Sequence, residues 1–416
     1  MRLILRNVLR HRGRFLLSVF VVGVASLLLV FATAQISGVK AALVRGMTDS
    51  LTGHLQIKPK AAALSFFDVS TGRRLELIEV DELSSVLKKV RALPAVEAAS
   101  PRMSFGAVVG NGESSTPAMV IAVETQQEQH VIPDMAEVLP LLDTAVQAAL
   151  VSPYLVEKSG VPLEEEILVL TETPSEVFNG RPYDIKGYAR SPHLIDEFMN
   201  AVVFTNLDRT RKMLYVESVA TDIAVRVKPE YADRLPEVVI QVREALSPDE
   251  REHLAVRTYR EVAQVIDSVG SIATGMATVQ VGVVIFVMLI VVLILTKLGL
   301  HERRREIGTL MSLGMTRERL VRMFAAEVVI KVLIGYMLGF AVAMVLLLGI
   351  RQAGGLKGET LVEQYMNGGK VLLPVLDAYN IVLGLLLVLG VSLLTTIASC
   401  WQAANEDVVS LLHTKE

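Results

Sequence analysis

The residues best suited to chemistry or recognition in this chain are Glu302–Met315, read as E-R-R-R-E-I-G-T-L-M-S-L-G-M. A charged run (Glu302, Arg303, Arg304, Arg305, Glu306) precedes apolar residues at helical spacing (Ile307, Leu310, Met311, Leu313). Gly308, Gly314 and Met315 interrupt or close the stretch. Such a segment makes no bonds. It is suited to being gripped: the apolar residues could fill a groove on a partner, and the arginines pair with acidic groups at its rim or with lipid phosphates. For the arginines alone, setting membrane topology is the stronger role.

The other chemistry-bearing residues form no constellation. Glu164-Glu165-Glu166 has no acid–base partner at a defensible spacing, and reads as solvated surface. The seven histidines are scattered without an H-E-x-x-H pair. Cys400 is the sole cysteine, which excludes an intrachain disulfide. The sequence has no G-x-x-x-x-G-K-[ST] phosphate loop, so no ATP site of that kind is expected here. A net charge of −3 gives no footprint for nucleic acid. Neither a cofactor nor a metal is expected in this chain, and it is not expected to be an enzyme.

Around the Glu302–Met315 stretch, the composition sets the elements. The chain has 416 residues, of which 52% are hydrophobic, with mean hydropathy +0.47. That is too apolar for an ordinary soluble protein, yet 20% charged residues require a large water-exposed part. The expected fold is a polytopic α-helical membrane protein with four transmembrane helices. A large α/β extracytoplasmic domain is inserted between the first and second spans.

In order, residues 1–14 are basic (Arg2, Arg6, Arg10, Arg12, Arg14). They read as a cytoplasmic amphipathic segment on the membrane surface, or as a plain positive anchor. Residues 15–36 form the first span. Ala32-Thr33-Ala34 fits a signal-peptide cleavage site, but Ile36, Val39, Leu43 and Met47 keep helical spacing beyond it, as in a stalk. Residues 37–271 form the outer domain, with strands expected at His54–Ile57, Ala118–Val123 and Thr221–Val227, and helices at Asp81–Ala92 and Leu235–Leu246. Tyr259–Leu300 reads as one helix, about 60 Å long at 1.5 Å per residue, containing the second span (272–298). The linker 299–327 carries Lys297 at its edge with Arg303, Arg304, Arg305, Arg317, Arg319 and Arg322, which places it in the cytoplasm. The third span is 328–350, with Lys331 snorkelling and Gly335-Tyr-Met-Leu-Gly339 permitting close helix packing. An outer loop (351–380), a fourth span (381–400) and a cytoplasmic tail (401–416) complete the chain.

One span, a large outer domain and three further spans resembles the FtsX/MacB-type ABC transporter permeases, most closely the lipoprotein-releasing LolC/LolE branch. Glu302-Arg303-Arg304-Arg305-Glu306-Ile307-Gly308, followed by Met311–Met315, Glu327 and Gly339, is similar to the family's E-R-x-R-E-I-G stretch. More loosely, Gly53–Ile57, Val156–Val161 and Asp196 through Val227 follow the family's order of elements. The family's P-A-x-R-A-A-x-x-x-P-x-x-x-L ending is departed from: Ser399–Ala404 lacks the first proline and Val408 stands at the second, with Leu412 kept.

The resemblance implies a permease subunit without enzymatic activity, in the inner (cytoplasmic) membrane with its large domain in the periplasm. It implies two copies of a P-loop ABC ATPase, binding ATP and Mg in separate chains, and a second permease, identical or paralogous. Glu302, Arg303, Arg304, Arg305, Glu306, Ile307, Gly308, Leu310, Met311, Leu313, Gly314 and Met315 would receive the ATPase's push, and Gly335 and Gly339 would pack helices. Motion would pass to the outer domain by mechanotransmission, acting on a lipid, lipoprotein or other hydrophobic cargo from the outer leaflet. Two alternatives stay open: an FtsX-like regulator that activates a cell-wall hydrolase, and a membrane-bound receptor or enzyme.

Overall fold

The computed structural model describes residues 12–62, 75–302 and 304–404. The expected surface segment therefore lies almost wholly outside the described residues, as do Arg303 and most of the tail. The helices used below are α1 (Arg12–Met47), α2 (Val80–Arg91), α3 (Thr125–Val131), α4 (Leu235–Ala245), α5 (Gln264–Glu302), α6 (Arg304–Ser312), α7 (Arg317–Gln352), α8 (Leu361–Asn367) and α9 (Ala378–Ala404). The chain divides into two units. One holds residues up to Val39 with Ala273–Leu356 and from Leu373 onward; the other holds Lys40–Ile272 and Lys357–Leu372.

In the first unit, α1, α5, α7 and α9 are each long and apolar enough to cross a membrane. They form helices because a lipid-facing backbone must bond within its own segment. Val22, Leu29, Met288, Val332, Tyr336 and Val388 belong to their shared core. The Tyr336 hydroxyl, which burial would otherwise leave unsatisfied, donates to the Ile381 carbonyl at 2.6 Å. α1 is the most enclosed, with 44% of its apolar window buried, whereas α5 buries 12% of its own. α1 runs unbroken through Ala32–Ala34.

The second unit is built on nine strands among the described residues: β1 (Leu55–Pro59), β2 (Val96–Gly110), β3 (Ser115–Val123), β4 (Ala148–Val151), β5 (Glu166–Glu172), β6 (Phe178–Tyr188), β7 (Val202–Asn206), β8 (Asp222–Val227) and β9 (Leu254–Thr258). Six of them close a ring, β2-β3-β7-β4-β6-β5 and back to β2. Alternating side chains fill its interior, among them Phe105, Val120, Val169, Tyr183 and Val203. The first half of β2 instead pairs with β8, which continues through β1 to β9. Val86 and Val90 of α2 and Val238 and Val242 of α4 cover this sheet. One fifteen-residue strand thus belongs to two cores.

The five short elements expected in this unit are present within one or two residues of their expected ends, except that β3 starts three residues earlier, at Ser115. The expectation of one helix over Tyr259–Leu300 is corrected. A capping box of Thr258 and Glu261 starts a single turn, Tyr259–Val262, which ends at buried Ala263 with φ −117° and ψ 61°; α5 begins after it. Residues 351–380 are likewise not a plain loop. Thr360 and Glu363 form a second capping box that starts α8, closed by Gly368 in the left-handed region. Within the same unit, Gln364 brackets Asp196, accepting from its N–H and donating to its carboxylate, both at 3.0 Å. Lys370 pairs with Asp196 at 2.6 Å.

Candidate functional site

In the membrane unit, the predicted coupling stretch folds as a helical hairpin. Glu302 ends α5, and Arg304, Arg305 and Glu306 open α6. The helix stops in a Schellman turn: the Gly314 N–H bonds the Met311 carbonyl and the Met315 N–H bonds the Leu310 carbonyl, both at 3.0 Å. Gly314 has φ +89°, which a side chain would strain. The chain re-enters a helix at Arg317, so α7 starts eleven residues before the expected third span, and Glu327 belongs to it rather than to a linker.

The hairpin closes on itself. Ile307 is 1% exposed and packs with Leu320 and Phe324 of α7 and Cys400 of α9; Leu310, Met311 and Met315 are half-buried against the same cluster. Of the four apolar residues proposed to fill a partner's groove, three therefore pack on their own chain. Leu313 does not: it is 80% exposed, at the tip beside Gly314, with Thr309, Ser312, Arg317, Glu318 and Arg319 exposed around it.

Gly335 and Gly339 face α1. An added Cβ at Gly335 would meet the Val19 carbonyl at 2.9 Å, and one at Gly339 would run into the Gly23 carbonyl and Ser26. Backbones approach this closely only between residues without side chains.

Lys331 reaches back one turn along α7 to a carboxylate. Its ammonium bonds Glu327 at 2.9 Å, and the two side chains are 20% and 8% exposed. The pair is visible in the sequence as Glu and Lys four apart on a helix, once the helix is known to extend back through Glu327.

In the α/β unit, the turn after α1 is a single π-helical turn, Thr48–Thr52, that continues the helix and is held by buried charge. Arg102, at the point where β2 leaves the ring for the sheet, is wholly buried. It donates to Glu128 of α3 through Nε at 3.0 Å and again through Nη2, while Nη1 donates to the Leu51 carbonyl at 2.7 Å. Arg226 of β8 pairs with Asp49 at 3.0 Å. Asp134 accepts from Ser50 and Ser191 and bonds His193 Nδ1 at 2.9 Å. Although serine, histidine and aspartate meet there, both hydroxyls reach the carboxylate rather than the imidazole, which is a packing hub and not the geometry of a nucleophile and base. Burial first, then the neighbouring Arg226, lowers His54 to about 4, and the Val227 N–H donates to its Nδ1. Sequence reasoning missed this set, since its members are ordinary charged residues far apart in the chain. Among the described residues, no three His, Cys, Asp or Glu side chains are grouped to hold a metal.

Residues 279–408 match the family profile described as FtsX-like permease C-terminal, which takes in most of α5 and all of α6, α7 and α9. This part of the chain is similar to FtsX-like permease C-terminal domains. Among solved structures, the chain is similar to the periplasmic region of MacB from Actinobacillus actinomycetemcomitans, with 12% identity, 54% of this chain and 95% of that one covered, and TM-score 0.32. It is also similar to the extracellular domain of the noncanonic ABC-type transporter YknZ from Gram-positive bacteria, with 10% identity, 49% and 98% covered, and TM-score 0.32. No curated protein matches the chain.

Proposed function

We propose that this chain is the membrane subunit of an ABC-type transporter and relays the motion of a separate P-loop ATPase to its α/β unit. The observation that carries the reading is the α6 hairpin within the FtsX-like domain. One face is locked to α7 and α9 through Ile307, Leu320 and Cys400, while the tip at Leu313 and Gly314 is bare. A push on such a tip moves two long helices instead of bending a loop. The fixed turn after α1 suits the receiving end, because Arg102, Arg226 and Asp134 would let movement of the helix carry strands rather than slip past them.

The cargo we favour is a lipid, a lipoprotein or another amphiphile taken from the outer leaflet, since the spans offer little polar surface for a hydrophilic path. The active assembly would hold two ATPases and a second permease, with the large unit on the far side of the inner membrane. The test is purification of the full chain from its own membranes in mild detergent, followed by an ATPase assay. Wild type should bring down a phosphate-loop ATPase, and Leu313→Asp should lose it or uncouple its turnover from cargo. Absence of any ATPase from the wild-type preparation would end the reading, and recovery of a cell-wall hydrolase instead would favour the regulatory alternative.

A further inference from the structure

The membrane unit has a half-open cavity of about 140 Å³ at the end of the bundle that carries α6. Its walls come from the first turns of α1, the last turns of α5 and α9, and the early part of α7. Most of the lining surface is apolar, with Val21, Val292 and Val328 among its residues. Into this wall the sequence places Ser18, Thr296, Glu327, Lys331, Ser392 and Thr396, polar side chains from all four long helices.

Two features make this a built site. Glu327 and Lys331 form an ion pair at 2.9 Å with both side chains largely removed from solvent, at the headgroup end of the bundle. The Ser392 hydroxyl, on a residue 1% exposed, has no hydrogen-bond partner among the described residues. A buried hydroxyl left unmatched is destabilising unless something external completes it.

The arrangement selects its ligand by charge. A simple anion would find Lys331 already neutralised by Glu327, and a simple cation would find the carboxylate occupied by the lysine. A zwitterionic headgroup satisfies both at once. Its phosphate oxygens accept from the Lys331 ammonium and the Ser392 hydroxyl, and its ammonium donates to the Glu327 carboxylate. The aliphatic wall then takes an acyl chain. We propose that this cavity binds the headgroup of a phospholipid carrying a primary ammonium and a phosphate, phosphatidylethanolamine being that chemistry, as a resident of the permease rather than as its cargo. A quaternary ammonium cannot donate to Glu327, and an anionic glycerol headgroup has no cation for it, so phosphatidylcholine and phosphatidylglycerol should bind less well.

Native mass spectrometry of the full-length protein, delipidated and offered the three phospholipids at equal concentration, tests this without any ATPase. The outcome is therefore independent of the coupling reading. Wild type should retain one phosphatidylethanolamine with about tenfold preference over each of the others, the scale of a lost charge-assisted hydrogen bond. Ser392→Leu, which fills the cavity with apolar volume and leaves the ion pair intact, should abolish retention. Glu327→Gln combined with Lys331→Met should leave binding without headgroup preference; if that pair does not fold, Ser392→Leu with unchanged thermal unfolding decides alone. Glycerophosphoethanolamine, the headgroup without chains, should compete poorly. Equal retention of all three lipids by wild type, retention unaffected by Ser392→Leu, or full competition by the chain-free headgroup would each overturn the proposal.

Discussion

The turn after α1 and the tip after α6 are both short, glycine-ended connections, and they are built in opposite ways. Residues 48–54 are buried apart from half-buried Asp49, and the side chains and carbonyls of Asp49, Ser50 and Leu51 are bound by Arg226, Asp134 and Arg102. Residues 312–319 are mostly exposed, and Leu313 spends its hydrophobic surface on solvent. A glycine at positive φ follows the helical residues at both (φ +68° at Gly53, +89° at Gly314). What differs is the burial of polar partners. Firmness at the first and availability at the second follow from side chains rather than from backbone.

The comparison can be broken at its firm end first. Arg102→Ala should strand Glu128 in the interior and leave the Leu51 carbonyl without its donor, costing about 3–5 kcal/mol. Denaturant unfolding of the full chain, followed by near-UV circular dichroism, reads this. A double variant with Glu128→Ala should recover part of the loss, and an undiminished midpoint in the single variant would show that the turn is held by something else. Next in size is Gly339→Leu, which forces α1 and α7 apart where Gly23 and Gly339 touch. Overpacking of this kind costs about 1–3 kcal/mol, read as a lower melting temperature in detergent.

Acid weakens the α/β unit more gradually. His54 is lowered to about 4, so the folded state binds fewer protons than the unfolded state below the ordinary imidazole value near 6.5; stability present above that value is lost as pH falls toward 4. Glu250 is held at about 2, against its own desolvation, by Lys89 and the N-terminal cap at Ser247. Its contribution, full above the ordinary carboxylate value near 4.5, is lost from there down to about 2. His54→Gln should flatten the upper part of this profile and leave the lower part in place. The smallest effect on stability belongs to the bare end: Leu313→Asp should change the melting free energy by less than about 0.5 kcal/mol. A large destabilisation there would mean the tip is packed, and the contrast would fail.

The membrane helices were legible because twenty consecutive apolar residues leave few alternatives in water or lipid. The start of α7 was not, since hydropathy stops at the first charges while the helix continues through Arg317–Glu327. Individual strands such as Asp222–Val227 could be read from alternation, but not the ring they belong to. Closure depends on which edge meets which, for example β3 with β7 some eighty residues on, and period-two patterning carries no partner identity. The coupling stretch could be read as a motif, yet its facing could not. Ile307 turns inward and Leu313 outward only because α7 and α9 supply the wall that Ile307 meets. Gly335 and Gly339 mark a place where backbones can touch, without saying that Gly23 is what touches them.

The α8 segment has a consequence in time. Residues 357–372 belong to the α/β unit, tied by Gln364 and Lys370 to Asp196, but they leave the ribosome only after α5, α6 and α7 have been made. Domains tend to fold as they are synthesised, so the ring and sheet can form early while Asp196 waits for its partners. Completion of this unit therefore waits on residues made after α5, α6 and α7, so its last contacts form only when nearly the whole chain has been synthesised.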